Sequence, residues 1–177
     1  MKKLLLFIAI IAIFILYVMI KSFFQFRAEE QKADVFKPYL DQYLNFIFDT
    51  KLIENPYLNG KLLTLDIKNK RIDDLTFPML NETVKADSPE KVKTLVLIEW
   101  YTVKEGEYFD ERTGRKTGNA LRSCANISVI DMAIKAKIYQ RTFYGNEPLK
   151  TFHGEGDFTS MQPIFEIVDF IHSLPRK

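Results

Sequence analysis

The feature that most constrains this chain is its first apolar run, Leu4 to Ile20, which reads LLLFIAIIAIFILYVMI without a charge, a glycine or a proline. As a helix it spans roughly 26 Å at about 1.5 Å per residue, close to the ~30 Å hydrocarbon core of a bilayer. It is apolar on every face, whereas a helix at the edge of a globular core shows a single apolar stripe. Lys2 and Lys3 precede it, Lys21 closes it, and Tyr17, Phe23, Phe24 and Phe26 supply the aromatics of a membrane interface. The expectation is a single-pass membrane protein with an uncleaved signal-anchor. A cleaved leader is the alternative, but this apolar core exceeds the usual ~7–15 residues and no small-x-small cleavage site follows it. Lys2 and Lys3 place the N-terminus on the cytoplasmic side and the following domain outside it, although Lys21 and Arg27 oppose that orientation.

With residues 1–27 set aside as anchor and flank, and 28–37 as a charged stalk, residues 38–177 form one domain of ordinary size. The chain is 47% hydrophobic and 14% aromatic, too apolar for intrinsic disorder. Four of its 25 basic residues, and none of its 23 acidic ones, lie in residues 1–27. The remaining domain is therefore slightly acidic and lacks the basic footprint that nucleic acid requires. One cysteine, Cys124, excludes an internal disulfide and a multi-cysteine metal site.

Pro38 opens a helical pattern through Leu40, Tyr43, Leu44, Ile47 and Lys51, with Phe46 and Phe48 widening its face. Tyr39, Tyr43, Phe46 and Phe48 are read as packing on a sheet rather than lining a groove. Lys61–Lys68 reads as a strand, and Lys93–Val103 as a central strand, since Leu95 to Ile98 is apolar on both faces. Lys104–Asn119 reads as a projecting loop or ragged hairpin. Leu121–Asp131 and Ile134–Phe143 are two more strands around a turn at Met132–Ala133. The segment 144–160 reads as a long glycine-containing loop, and Pro163 opens a final helix with Ile164, Ile167, Val168, Ile171 and Leu174 on one face. The expected fold class is α+β: an antiparallel sheet of about four strands with helices packed on it.

Several of these pieces carry a resemblance. Ile72-Asp73-Asp74-Leu75, Pro89-Glu90 ahead of the apolar strand, Trp100, Cys124 leading into Val129-Ile130-Asp131, and Glu166-Ile167-Val168 before Leu174-Pro175 are similar to a widespread group of bacterial proteins without an established activity. The resemblance covers residues 60–177. It implies a bacterial origin and one domain, and brings no site residue with it. Type IV pilins share only the plan of an apolar helix before an α+β head; their processing glycine and the glutamate of the mature helix are missing here.

Five residues offer chemistry. His153, Glu155 and Asp157 sit in a His-Gly-Glu-Gly-Asp segment whose glycines let the backbone curl. Asp73, beside Asp74, and Glu99, beside Trp100, are the acids that could join them. No spacing of a known metal loop or zinc helix is present, so neither a metal nor a cofactor is expected. Cys124 reads as a small buried hydrophobe, and Arg112–Gly118 as a charged hairpin tip rather than a phosphate loop. The chain is expected to bind rather than catalyse. It would serve as a membrane-anchored accessory domain in the bacterial envelope, held to the membrane through Leu4–Ile20, with a protein partner and no nucleic acid. The alternative is a membrane-tethered hydrolase using the 153–157 loop.

Overall fold

In a computed structural model of the chain, the residues described are Leu16, Tyr17, Met19 to Lys21, 34–152 and 154–177. Seven strands form one sheet: β1 (Asp49–Thr50), β2 (Lys61–Asp66), β3 (Arg71–Ile72), β4 (Val92–Phe109), β5 (Lys116–Asp131), β6 (Ala136–Tyr144) and β7 (Phe158–Thr159). The named α-helices are α1 (Leu40–Leu44) and α2 (Ile164–Ser173). The strand order is β1-β6-β5-β4-β2-β3, with β7 also on β5. The pairs β4/β5, β5/β6 and β2/β3 are antiparallel, whereas β1/β6, β2/β4 and β5/β7 are parallel.

This corrects the expected fold class. Among the described residues the sheet is mixed and seven-stranded rather than antiparallel with about four strands, and the named helices are short. The reason is that alternation of apolar residues reports that a strand exists, not which way its neighbour runs. The β2–β4 crossover, residues 67–91, contains no α-helix, the usual mark of parallel pairing. It is built instead from β3 and two 3-10 turns, Phe77–Met79 and Pro89–Lys91.

The anchor is also corrected. Among the described residues no helix is long and apolar enough to cross a membrane. The membrane-spanning anchor and the single-pass membrane localisation are therefore not supported. Of the run Leu4–Ile20, Leu16, Tyr17, Met19 and Ile20 are described and helical, and the rest lies outside the described residues. Hydropathy measures only how apolar a run is. A span also needs about 20 residues of continuous helix, which apolarity alone does not establish.

The core follows from the central strands. Leu95, Val96 and Ile98 of β4 and Ile127, Val129 and Ile130 of β5 are fully buried, as an apolar run covered on both faces requires. Helix α2 lays Ile167 and Ile171 on the sheet, and its Phe170 stacks on Tyr139 at 5.2 Å and tilts on Phe143 at 5.4 Å. The helix expected from Pro38 to Lys51 stops at Leu44, and Ile47 is 88% exposed. Competition from the sheet explains this: Asp49 N donates to Lys135 O at 2.8 Å, which makes β1 an edge strand on β6. Tyr43 is buried and donates to Pro89 O at 3.1 Å, with Phe46 and Phe48 packed against the core. Those aromatics are structural, and the core extends back to Phe36, edge-on to Phe77.

Past Thr102 and Ser123 the β4/β5 ladder continues as an arm, flanked by β7 at Ala120 and Leu121, to a tip at residues 110–115. The tip closes through Gly114 N to Asp110 O and Asp110 N to Arg115 O, with Gly114 at φ 65°, where a side chain would be strained.

Candidate functional site

The arm does not stand alone. The returning loop folds against it and leaves a cleft of about 980 Å³, lined by Tyr108, Phe109, Asp110, Arg112, Arg115, Lys150, Phe152 and Glu155 among others. Aromatic packing sets its floor. Phe152 lies 5.6 Å from Tyr108 and 5.3 Å from Phe158, and Tyr108 Oη donates to Leu149 O at 2.8 Å. The loop is then latched: Asp157 accepts from both the backbone N and the Nδ2 of Asn119 at 2.8 Å, and Gly156 N donates to Thr117 O at 2.8 Å.

Gly118 permits that approach. A Cβ there would lie 1.8 Å from the carbonyl oxygen of Gly156, so backbone must move to admit it. Gly118→Ala is expected to cost the latch about 1–2 kcal/mol, which raises the population of the open loop roughly 5- to 30-fold. Limited proteolysis within residues 149–157 should accelerate accordingly while the far-ultraviolet spectrum is unchanged. An unaltered cleavage rate would show that the latch does not depend on this contact.

The charges around the cleft are mostly spoken for. Hydrogen bonds from Lys104 and Lys116 hold the Glu107 carboxyl down to about 2, the Lys116 contact being 2.8 Å. The side chain and backbone N–H of Thr113 hold Asp110 below the ordinary carboxylate range. Arg115 pairs with Glu155 at 2.5 Å. Among the described residues no ion-pair partner faces Arg112 or Lys150, so both can meet an incoming group.

Of the five residues with candidate chemistry, His153 lies outside the described residues. Glu155 is exposed and tied to Arg115, and Asp157 serves as the latch acceptor. Asp73 is 1% exposed and fully used: it accepts from Trp100 Nε1 at 2.6 Å, Thr76 N at 2.7 Å and Thr76 Oγ1 at 2.8 Å. Its neighbour Asp74 is exposed and pairs with Arg71 at 3.2 Å. Glu99 is exposed and accepts from Asn126 Nδ2 at 3.3 Å. Glu99 faces Asn126, seven residues along β5 from the Asn119 that holds Asp157, which is roughly 23 Å at strand spacing. The acids therefore do not converge on one reacting centre. Among the described residues no three His, Cys, Asp or Glu side chains form a metal-holding group. Burial pushes the Cys124 thiol up, away from the thiolate a nucleophile requires.

Sequence reasoning missed one polar cluster. Asp131, 1% exposed, accepts from Tyr57 Oη at 2.9 Å, Asn59 Nδ2 at 3.0 Å and Ala133 N at 2.9 Å. An acid closing the apolar run Val129-Ile130-Asp131 was its only sequence signal. The cluster clamps the 57–59 segment to the end of β5 and is structural. No known family model, curated protein or solved structure matches the chain.

Proposed function

We propose that this domain is a binding module that holds a protein partner in the cleft between the arm tip and the 149–157 loop. The observation that carries this reading is the dispersal of the acids. Each candidate acid is occupied by a structural hydrogen bond or an ion pair, while the cleft presents 56%-exposed Phe109 together with Arg112 and Lys150. An exposed aromatic beside Arg112 and Lys150, with Glu111 likewise unpaired among the described residues, suits an amphipathic protein surface of mixed charge, since aromatics and arginines dominate the energetics of protein interfaces.

The test is crosslinking of the full chain in extracts of its native cells, wild type against a Phe109→Asp, Arg112→Glu double variant. Wild type should capture a stoichiometric partner through residues 107–115. The variant should lose at least about tenfold in yield, a loss of roughly 1.4 kcal/mol, with an unchanged melting temperature. Equal capture by the variant, or crosslinks that avoid the arm, would overturn the reading.

A further inference from the structure

Strand β4 outruns its neighbour on one side. Towards β5 it is paired from Thr94 to Phe109, but towards β2 the ladder ends at Asp66 opposite Ile98, with a last bond from Ile67 N to Ile98 O at 3.0 Å. Ile98 turns its carbonyl to the β2 side, so strand alternation turns the N–H and C=O of Trp100, Thr102 and Lys104 the same way. The opposite strand agrees in phase: Ser123, facing Thr102, directs its carbonyl away from β4 to Gly145 N at 2.8 Å. Among the described residues no strand pairs with this edge between Trp100 and Lys104. The stretch is regular, since the first register shift lies between Lys104 and Gly106. It is also held in place, because Trp100 is fixed by buried Asp73.

Beside this edge, on the face that carries α2, runs a trench of about 550 Å³. Trp100, Thr102, Met161, Ile164 and Phe165 line it, and Met161 and Phe165 are 72% and 64% exposed. The lining holds a single charged group, Lys68, and no acid. Most exposed edges are blunted by bulges, proline or charge. Here the run from Trp100 to Lys104 has no proline and no bulge, and its only outward-facing charge is Lys104 at the far end.

We propose that this edge takes an extended segment of a partner protein as an added strand, antiparallel to β4, with an apolar side chain in the trench and a carboxylate at Lys68. Backbone groups of Trp100, Thr102 and Lys104 supply the pairing, and the trench reads alternate side chains of the incoming strand. Charge sets the direction. Lys68 follows β2, so it sits at the Ile98 end of the open edge. An antiparallel strand brings its carboxyl end there, whereas a parallel one would bring its amino end to a cation. This surface is separate from the cleft at the arm tip, and its test is independent of that cleft.

The probe is a displayed library of random octapeptides with free carboxyl termini, screened against the full chain. Selected peptides should share an apolar residue near the carboxylate and slow amide exchange at Trp100, Thr102 and Lys104. Thr102→Pro removes an outward N–H that has no strand partner among the described residues, a place where proline is tolerated on an edge. It should weaken binding by at least about tenfold, while Thr102→Val binds as wild type. Lys68→Glu should abolish the preference for a free carboxylate, a readout that remains if the proline variant fails to fold. The proposal is overturned if no sequence is enriched, or if the selected peptides bind Thr102→Pro as tightly as wild type. It is also overturned if the same amides are protected without peptide in a concentration-dependent dimer, which would assign the edge to a second copy of this chain.

Discussion

Replacing Asp73 with alanine is expected to destabilise the domain by about 3–5 kcal/mol, since it leaves three donors unsatisfied at about 1–3 kcal/mol each. The carboxylate is 1% exposed and accepts three hydrogen bonds, from the indole of Trp100 and from the backbone and hydroxyl of Thr76. Alanine leaves all three donors without an acceptor, two of them on fully buried Thr76, and opens a small void beneath Trp100. The melting temperature should fall by about 10 °C. In urea the midpoint should move while the slope stays constant, because the surface exposed on unfolding is unchanged. Asp73→Asn keeps the volume and part of the acceptor capacity, so it should cost less. Equal stability of the alanine variant would mean that Trp100 and Thr76 find other partners, and that this acid does not hold the β3 end of the sheet.

The second large effect concerns Asp131. Burial pushes its carboxyl up, but hydrogen bonds from Asn59, Tyr57 and the backbone of Ala133 and Ile134 outweigh that push and hold it below the ordinary value. Its folded-state pKa therefore lies under the unfolded value of about 3.9. The sign follows from linkage: such a carboxylate contributes stability above the unfolded pKa and loses it as pH falls through the folded one. Asp131→Ala should cost about 2–4 kcal/mol at neutral pH, where these donors lose a charged acceptor. The stabilities of wild type and Asp131→Asn should converge as pH drops below about 4. A difference that stays constant down to pH 2 would remove the charged form of Asp131 from the account.

These two acids also mark what was legible. Strands at 61–68, 93–103, 121–131 and 134–143, and the helix after Pro163, were visible because each buries a face large enough to leave a period in the sequence. Asp73 was not, because Asp73-Asp74 looks the same whether both side chains meet water or one turns inward. Only the distant Trp100 decides it. Parallel pairing was invisible for a related reason: Leu63 meets Leu95 across a crossover that carries no helix to announce it. The helix ending at Leu44 shows local periodicity losing to the backbone hydrogen bonds offered by β6. The loop at 153–157 was singled out for its side chains. Its described residues matter more for how Gly156 and Asp157 grip β5, a backbone relation that residue identity does not announce.

The closure of Leu58 on the chain's last strand-like contact bears on synthesis. Leu58 N donates to Pro175 O at 2.8 Å, and Lys177 N donates to Leu58 O at 3.0 Å. On the same side of the fold, Asp49–Thr50 pair with Ala136–Lys137. A ribosome adds about 5–20 residues per second, so the early segment waits on the order of ten seconds for its partners to emerge. The β4/β5 hairpin needs only its own tip and can form within microseconds of release. The nascent chain thus carries a finished hairpin before it has a finished sheet, and until Ile167 and Ile171 of α2 emerge, the face of the sheet they cover is exposed to whatever chaperone is nearest.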